Sequence, residues 1–236
     1  MNGFDIEIQY SEKVKSTTLE VWPGNLVKVI APIGSTETEL QKIVSKKTKW
    51  IIEKQRLIKD VPVWREREFI SGESLPILGR EYRLKVIEGF GETSLKDDRF
   101  VVPVVTIEND DNSEQSKSEL VKLSLIKWYK AEALNKIIPR VEFFCEKLNC
   151  NAKSISIKDY EARWGSCTPT GDLIFNWQIL ALPRESFEYV IAHEVCHLIE
   201  LNHSKDFYRL LCSLGFETDE TEARLKYYRN LFSNSI

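Results

Sequence analysis

Alternating apolar and polar residues dominate the first half of the chain. Phe4-Asp5-Ile6-Glu7-Ile8 alternates as a half-buried strand does. The next two apolar runs, 19–22 and 26–30, flank Pro23-Gly24-Asn25, which is a strong turn signal. Further strands are predicted at 69–70, 75–78, 82–87 and 100–107. The pattern therefore predicts a β-rich N-terminal region.

One long helix interrupts these strands. Thr36 and Glu39 form a T-x-x-E capping box, so the helix is predicted to begin near Thr36. Its buried stripe is marked by apolar residues at helical spacing, namely Leu40, Ile43, Val44, Ile51 and Ile58. Many of its other positions are lysines, which favours a solvated face; a surface for phosphate or an acidic substrate is the alternative.

Helical periodicity takes over in the second half. Residues 119–148 keep an apolar repeat of one helical turn, and Pro139 predicts a kink or the start of a second helix. Two strands follow at 154–160 and 171–177, on either side of a loop. A last predicted helix runs from Pro183 to about Leu201.

These elements predict an α+β fold in two domains. The segment 108–118 is polar and lacks apolar residues, which is typical of a linker. It separates a β-rich domain with one long helix, residues 1–107, from a mostly helical domain with a small sheet, residues 119–236.

The helix predicted at 183–201 carries the candidate chemistry. It is apolar almost all round, so it is expected to be buried. His193 and His197 are four residues apart and share one helix face, with Glu194 beside the first imidazole. Two imidazoles and a carboxyl group would be costly to bury without a partner, and a metal ion removes that cost. We therefore predict a catalytic zinc (Zn²⁺) site, in which three protein ligands leave a position open for water.

The third ligand is less directly specified. His203 completes the chain's set of three histidines, but a continuous helix would turn it away from the other two. A helix end at Asn202 and a new helix capped by Ser204 would bring it back, which makes His203 the preferred ligand. The alternatives are Glu200 and the downstream acids Glu217, Asp219, Glu220 and Glu222.

Composition narrows the function classes. The chain has 236 residues, and 42% are hydrophobic and 29% charged, as in an ordinary globular protein. A net charge of −3 argues against a dedicated nucleic-acid binder, and no apolar run approaches the ~20 residues of a membrane helix. Five cysteines without a CxxC pair and a start without a signal-peptide pattern predict a reducing, cytoplasmic setting.

Several short motifs, in their order along the chain, resemble the YgjP-like metal-dependent hydrolases. This family comprises predicted zinc peptidases related to SprT-like and WLM-type proteins. The matching segments are Arg163-Trp164-Gly165-Ser166-Cys167, Phe175-Asn176-Trp177, His193-Glu194-Val195-Cys196-His197, Asn202-His203-Ser204 and Phe207-Tyr208. The resemblance implies a zincin-like C-terminal domain, zinc held by His193, His197 and His203, Glu194 as catalytic base, and a peptide or protein substrate.

The mechanism predicted from these residues is metal-assisted amide hydrolysis. Glu194 would take a proton from the attacking water and pass it to the leaving amine. Arg163 is the first candidate for stabilising the oxyanion, ahead of Tyr160, Tyr189 and Tyr208. The alternative role for Arg163 is a structural ion pair. The strand ending at Trp177 could hold an extended peptide if it lay at a sheet edge.

Three other functions compete with the peptidase. They are hydrolysis of a non-peptide amide, binding by a module that zinc only stabilises, and cleavage of DNA-bound proteins. A base beside the metal ligands argues against the binding module, and the net charge argues against the DNA-bound substrate. The sequence leaves the oligomeric state open.

Overall fold

The structure, a computed structural model, describes residues 3–59, 61, 67–105 and 113–232. The chain forms two compact units. One comprises Met1–Trp64 and Glu222–Leu231, and the other comprises Arg65–Thr221 and Phe232–Ile236. The elements are helices and small mixed sheets, which confirms the predicted α+β class.

The first unit is a small sheet covered by helix. Its elements are β1 (Asp5–Ser11), β2 (Thr18–Trp22), β3 (Leu26–Pro32), α1 (Glu37–Leu57) and most of α5 (Thr218–Phe232). β3 is the central strand, parallel to β1 and antiparallel to β2. The predicted capping box is present, because the Thr36 hydroxyl accepts from the Glu39 amide and the Glu39 carboxylate accepts from the Thr36 amide.

The second unit contains two sheets and three helices. In chain order its elements are β4 (Ser74–Ile77), β5 (Arg80–Glu88), β6 (Ser94–Lys96), β7 (Arg99–Val104), α2 (Ser113–Leu148), β8 (Ser154–Lys158), β9 (Gly165–Cys167), β10 (Asp172–Asn176), a 3₁₀ helix (Trp177–Ala181), α3 (Arg184–Cys196) and α4 (Lys205–Ser213). The four-stranded sheet has the order β4-β5-β7-β6, and the three-stranded sheet has the order β8-β10-β9.

Tyr129 of α2 joins the layers of the second unit. It is 1% exposed, and its hydroxyl donates to the Pro76 carbonyl over 2.7 Å. Its ring lies 5.7 Å from Phe100 of β7 and 5.7 Å from Trp177 of the 3₁₀ helix. Because a buried phenol needs a hydrogen-bond partner, this contact fixes α2 against the sheet that precedes it.

The compact units divide the chain elsewhere than the predicted domains. The sheet β4–β7 falls in the same unit as α3, whereas the prediction placed everything before residue 108 in a separate domain. The reason is tertiary, since α2 packs on β7 and the 3₁₀ helix contacts β4. α2 starts at Ser113, inside the predicted linker 108–118, and residues 108–112 lie outside the described residues.

Of the two alternatives predicted at Pro139, a second helix is excluded, because Pro139 lies inside a single helix, α2. The strand predicted at 69–70 needs correction. Phe69 is not in a strand and has a positive φ of 56°. The turn chemistry around Gly72 outweighed the apolar pair at 69–70.

None of the helices in the described part of the chain combines the length and apolar character that crossing a bilayer requires.

The turn between β4 and β5 lies against the start of α3. Leu78 and Gly79 have φ values of 48° and 82°, and a Cβ on Gly79 would lie 3.3 Å from the Cα of Pro183, which precedes α3. We expect Gly79→Ala to lower the free energy of unfolding by about 1–2 kcal/mol, because the left-handed conformation is unfavourable for a residue with a Cβ atom.

Urea denaturation monitored by circular dichroism measures this change. Gly72→Ala is the matched control, because Gly72 has a φ of 102° but no atom within 4 Å of an added Cβ. A larger loss for Gly79→Ala than for Gly72→Ala reports the contact with Pro183; equal losses would show that this contact carries no energy.

Candidate metal centre

Helix α3 ends earlier than predicted, at Cys196 rather than near Leu201. His197 is its C-cap with a helical φ of −67° and ψ of −16°, so His193 and His197 keep their spacing of one turn on one face. The chain then makes a tight turn in which the Glu200 amide donates to the Cys196 carbonyl. The helix end predicted at Asn202 thus lies several residues earlier, and Asn202 has no positive φ.

This early turn brings His203 back to the other two histidines. One ring nitrogen from each of His193, His197 and His203 lies within 4.8 Å of the others. The Nε2 atoms of His193 and His203 are 3.0 Å apart. Ligand nitrogens around a tetrahedral zinc ion are separated by about 3.3 Å, given Zn–N bonds of ~2.0–2.1 Å, so the cluster has the dimensions of a metal site.

The His197 ring is oriented by the same turn. Its Nδ1 lies 3.0 Å from the Glu200 carbonyl oxygen. A carbonyl only accepts hydrogen bonds, so Nδ1 carries the proton and Nε2 keeps its lone pair for a metal ion. Glu200 thus contributes its backbone, while its carboxylate accepts from the Asn202 amide.

Phe207 of α4 packs beneath all three imidazoles. Its ring centroid lies 4.8 Å from His193, 4.5 Å from His197 and 4.8 Å from His203, and the residue is fully buried. The predicted N-cap places it there, because the Ser204 hydroxyl accepts from the Asp206 and Phe207 amides. This role of Phe207 was not predicted, although its position in the first turn after Ser204 is a signal for it in the sequence.

The electrostatics of the cluster suit a metal ion. Burial, followed by repulsion from His197 and His203, lowers the pKa of His193 to about 3. Burial likewise lowers the pKa of His197. Metal ligands must be deprotonated, and these shifts favour the neutral imidazole at His193 and His197.

Glu194 is 7% exposed and lies against strand β9. Burial raises the pKa of its carboxyl group to about 8, and the positive charge of Arg163 opposes this rise. A cation held by the three histidines would oppose it as well. The residue predicted as the base therefore occupies a dry position beside the candidate metal site.

Gly165 makes this arrangement possible. A Cβ atom on Gly165 would lie 2.8 Å from Glu194 Cγ and 2.9 Å from its Oε1. Such distances are too short for any L-residue, so the glycine allows close approach of the strand to the carboxyl group. Gly165 is the first residue of the extended strand β9, so it is required for this close contact and not for a tight turn.

Asn176 holds the loop that carries Arg163. Its side-chain amide donates to the Tyr160 and Arg163 carbonyls over 2.9 and 3.5 Å, and it is 3% exposed. The Arg163 guanidinium lies 5.5 Å above the Tyr160 ring. Arg163 is exposed, and it lies near enough to Glu194 for its positive charge to oppose the rise that burial causes in the pKa of that carboxyl group. This role of Asn176 was not predicted from the sequence.

The alternative third ligands do not join the cluster. Among the side chains that the structure describes, His193, His197 and His203 are the only group of three or more potential ligands close enough to share an ion. Glu200, Glu217, Glu220 and Glu222 are not part of it. The side chain of Asp219 lies outside the described residues.

Three convergent imidazoles and a buried carboxyl group at one helix end form the kind of site that metal-dependent hydrolases use. The sequence profile of the YgjP-like metallopeptidase domain matches residues 15–228. The chain therefore belongs to the YgjP-like metallopeptidase family.

Two solved structures show partial similarity. The zymogen of the metallopeptidase abylysin from Pyrococcus abyssi is 18% identical, with a TM-score of 0.36 over 42% of this chain and 99% of that one. The zymogen of jannalysin from Methanocaldococcus jannaschii is 25% identical, with a TM-score of 0.34 over 41% of this chain and 90% of that one. A comparison with curated proteins found no match.

We expect His203→Ala to weaken zinc binding by at least roughly 100-fold, since losing even an outer-shell partner of a metal ligand costs ~10–100-fold. Competition with a chelating indicator on the purified protein gives the affinity. Glu200→Gln is the control, because it leaves the backbone carbonyl in place. Unchanged affinity in His203→Ala would remove His203 from the ligand set.

Proposed function

We propose that this metallopeptidase is a zinc enzyme that cleaves peptide bonds with Glu194 as general base. The observation that supports it best is the placement of a buried carboxyl group directly beside three convergent imidazoles. His193, His197 and His203 are the proposed ligands. Zinc suits an all-imidazole set, and three protein ligands leave a fourth position open.

Bound zinc would supply Lewis acidity, which polarises the attacking water and the scissile carbonyl. The residues of the chain supply proton transfer and position. Glu194 accepts a proton from the water and donates it to the nitrogen of the leaving amine. Contact with Gly165 restricts where this carboxyl group can move.

Arg163 is the proposed oxyanion-stabilising group. Its guanidinium is exposed beside the site, and Asn176 fixes the loop that presents it. A positive charge aimed at the developing negative charge is worth more in a site that partly excludes water. A cation–π contact with the Tyr160 ring, 5.5 Å from Arg163 Cζ, supports the position of the guanidinium group.

The proposed peptide-binding element is β9, not the strand that ends at Trp177. β10 (Asp172–Asn176) is the central strand of its sheet and pairs with β8 and β9, so it has no free edge. β9 lies at the edge of that sheet and contacts α3. An extended peptide paired with β9 would pass directly over Glu194.

We expect Glu194→Gln to bind zinc as the unchanged protein does but to lose hydrolysis of a peptide library by roughly 10²–10⁴-fold, the usual contribution of a general base. Mass spectrometry of the digest and metal analysis of the same sample measure both properties. Full activity in this variant would exclude Glu194 as the base. Release of amine from small amides but from no peptide would favour the non-peptide hydrolase.

Gly165→Ala tests the contact between β9 and the carboxyl group. The added Cβ must displace Glu194, and a shift of ~1 Å at a reacting group costs up to roughly 100-fold in rate. Zinc affinity should stay unchanged. Cys167→Ala, on the same face of the same strand, is the control and should keep most of the activity. Equal activities of the two variants would contradict the proposed contact.

A further inference from the structure

The strand register determines which residues share the outer face of the three-stranded sheet. Ser166 of β9 pairs with Ile174, and Lys158 of β8 pairs with Asn176. Ile174 and Asn176 are two residues apart in β10, so their side chains point to one face. Ser166 and Lys158 therefore share that face, whereas Gly165 belongs to the opposite face, against Glu194.

Tyr160 contacts two cationic side chains next to this outer face. Its hydroxyl is hydrogen-bonded to the Ser166 hydroxyl at 2.8 Å. Lys158 Nζ lies 5.5 Å from the Tyr160 ring centroid, and Arg163 Cζ also lies 5.5 Å from it. One aromatic ring thus holds two cationic side chains beside the edge strand. We call Lys158, Tyr160 and Arg163 the basic patch.

The carboxylate nearest in sequence to Lys158 is directed elsewhere. Asp159 Oδ2 accepts from Lys130 Nζ at 2.8 Å, and Asp159 Oδ1 accepts from the Trp177 indole at 2.7 Å. Lys158 and Arg163 are both exposed. Lys158 lies on β8, across β10 from β9, and the Tyr160 ring that contacts its ammonium group connects it to Ser166 of β9.

A peptide paired with β9 would present its residues to the two faces alternately. Residues opposite each other across a strand pair share a face. The peptide residue opposite Gly165 would face Glu194, and its neighbour opposite Ser166 would face the basic patch. Substrate selection at that neighbouring position would then depend on charge.

We infer that the basic patch is a subsite for an acidic side chain of the peptide substrate, with Lys158 as the residue that determines this specificity. The inference rests on the proposed peptidase function and on pairing of the peptide with β9. It assigns a substrate preference to Lys158, which lies outside the metal site, and adds no step to the reaction.

Peptide binding to the zinc-loaded Glu194→Gln chain tests the subsite without cleavage. Fluorescently labelled, C-terminally amidated peptides carry glutamate at each position in turn, and otherwise glutamine. At one position we expect glutamate to lower the Kd about threefold to fivefold, as a solvent-exposed ion pair does. The difference should shrink as salt is added, because exposed charges are screened.

Substitutions of Lys158 identify the group responsible. In the Glu194→Gln background, Lys158→Gln should abolish the preference for glutamate, and Lys158→Glu should favour a peptide with lysine at that position. Lys153→Gln is the matched control, since Lys153 adjoins the other end of β8, about 17 Å away for five extended residues. It removes the same charge and should leave the preference intact.

The outcomes separate this inference from the proposed function. Equal affinity for all glutamate and glutamine peptides, or a preference that survives Lys158→Gln, overturns the subsite. If unaltered enzyme cleaves peptides in either case, the peptidase function stands and the inference alone fails. If no peptide is bound or cleaved, both are overturned.

Discussion

The contact between Gly165 and Glu194 is the constraint on which the candidate site depends. Glu194 is 7% exposed, although burying an ionisable group is costly. The backbone of β9 at Gly165 packs directly against its carboxyl group and so shields it from solvent. Strand β9 is only three residues long, so it depends on pairing with β10. Asn176, at the end of β10, then fixes the preceding loop through the Tyr160 and Arg163 carbonyls.

The three imidazoles depend on a second constraint, which is where two helices meet. α3 must end at Cys196 for the chain to turn, and α4 must start at Lys205 for Phe207 to lie beneath the rings. The turn also uses the Glu200 carbonyl to orient His197. The cluster of three imidazoles is therefore produced by backbone geometry, and its rings pack on one buried phenylalanine.

Residues adjacent in sequence were sufficient to predict several local features of the fold. The α1 capping box, the Ser204 N-cap and the burial of α3 were predicted from residues adjacent in sequence, and the structure confirms them. Predictions that needed distant partners were less accurate. The strand pattern at Asp172–Asn176 is the same for an edge and a central strand, so sequence could not place β10 between two neighbours. The domain boundary differed because α2 packs on a sheet formed by earlier strands.

Sequence alone specifies the spacing of His193, Glu194 and His197, because helical geometry fixes the relative positions of these three residues wherever the helix lies. The cytoplasmic location stays a prediction from cysteine usage. The tertiary structure decided that His203 reaches the other two rings, that Gly165 opposes Glu194 and that Tyr160 holds two cations beside β9. Each of these contacts joins different elements, and their distances depend on packing that local periodicity does not contain.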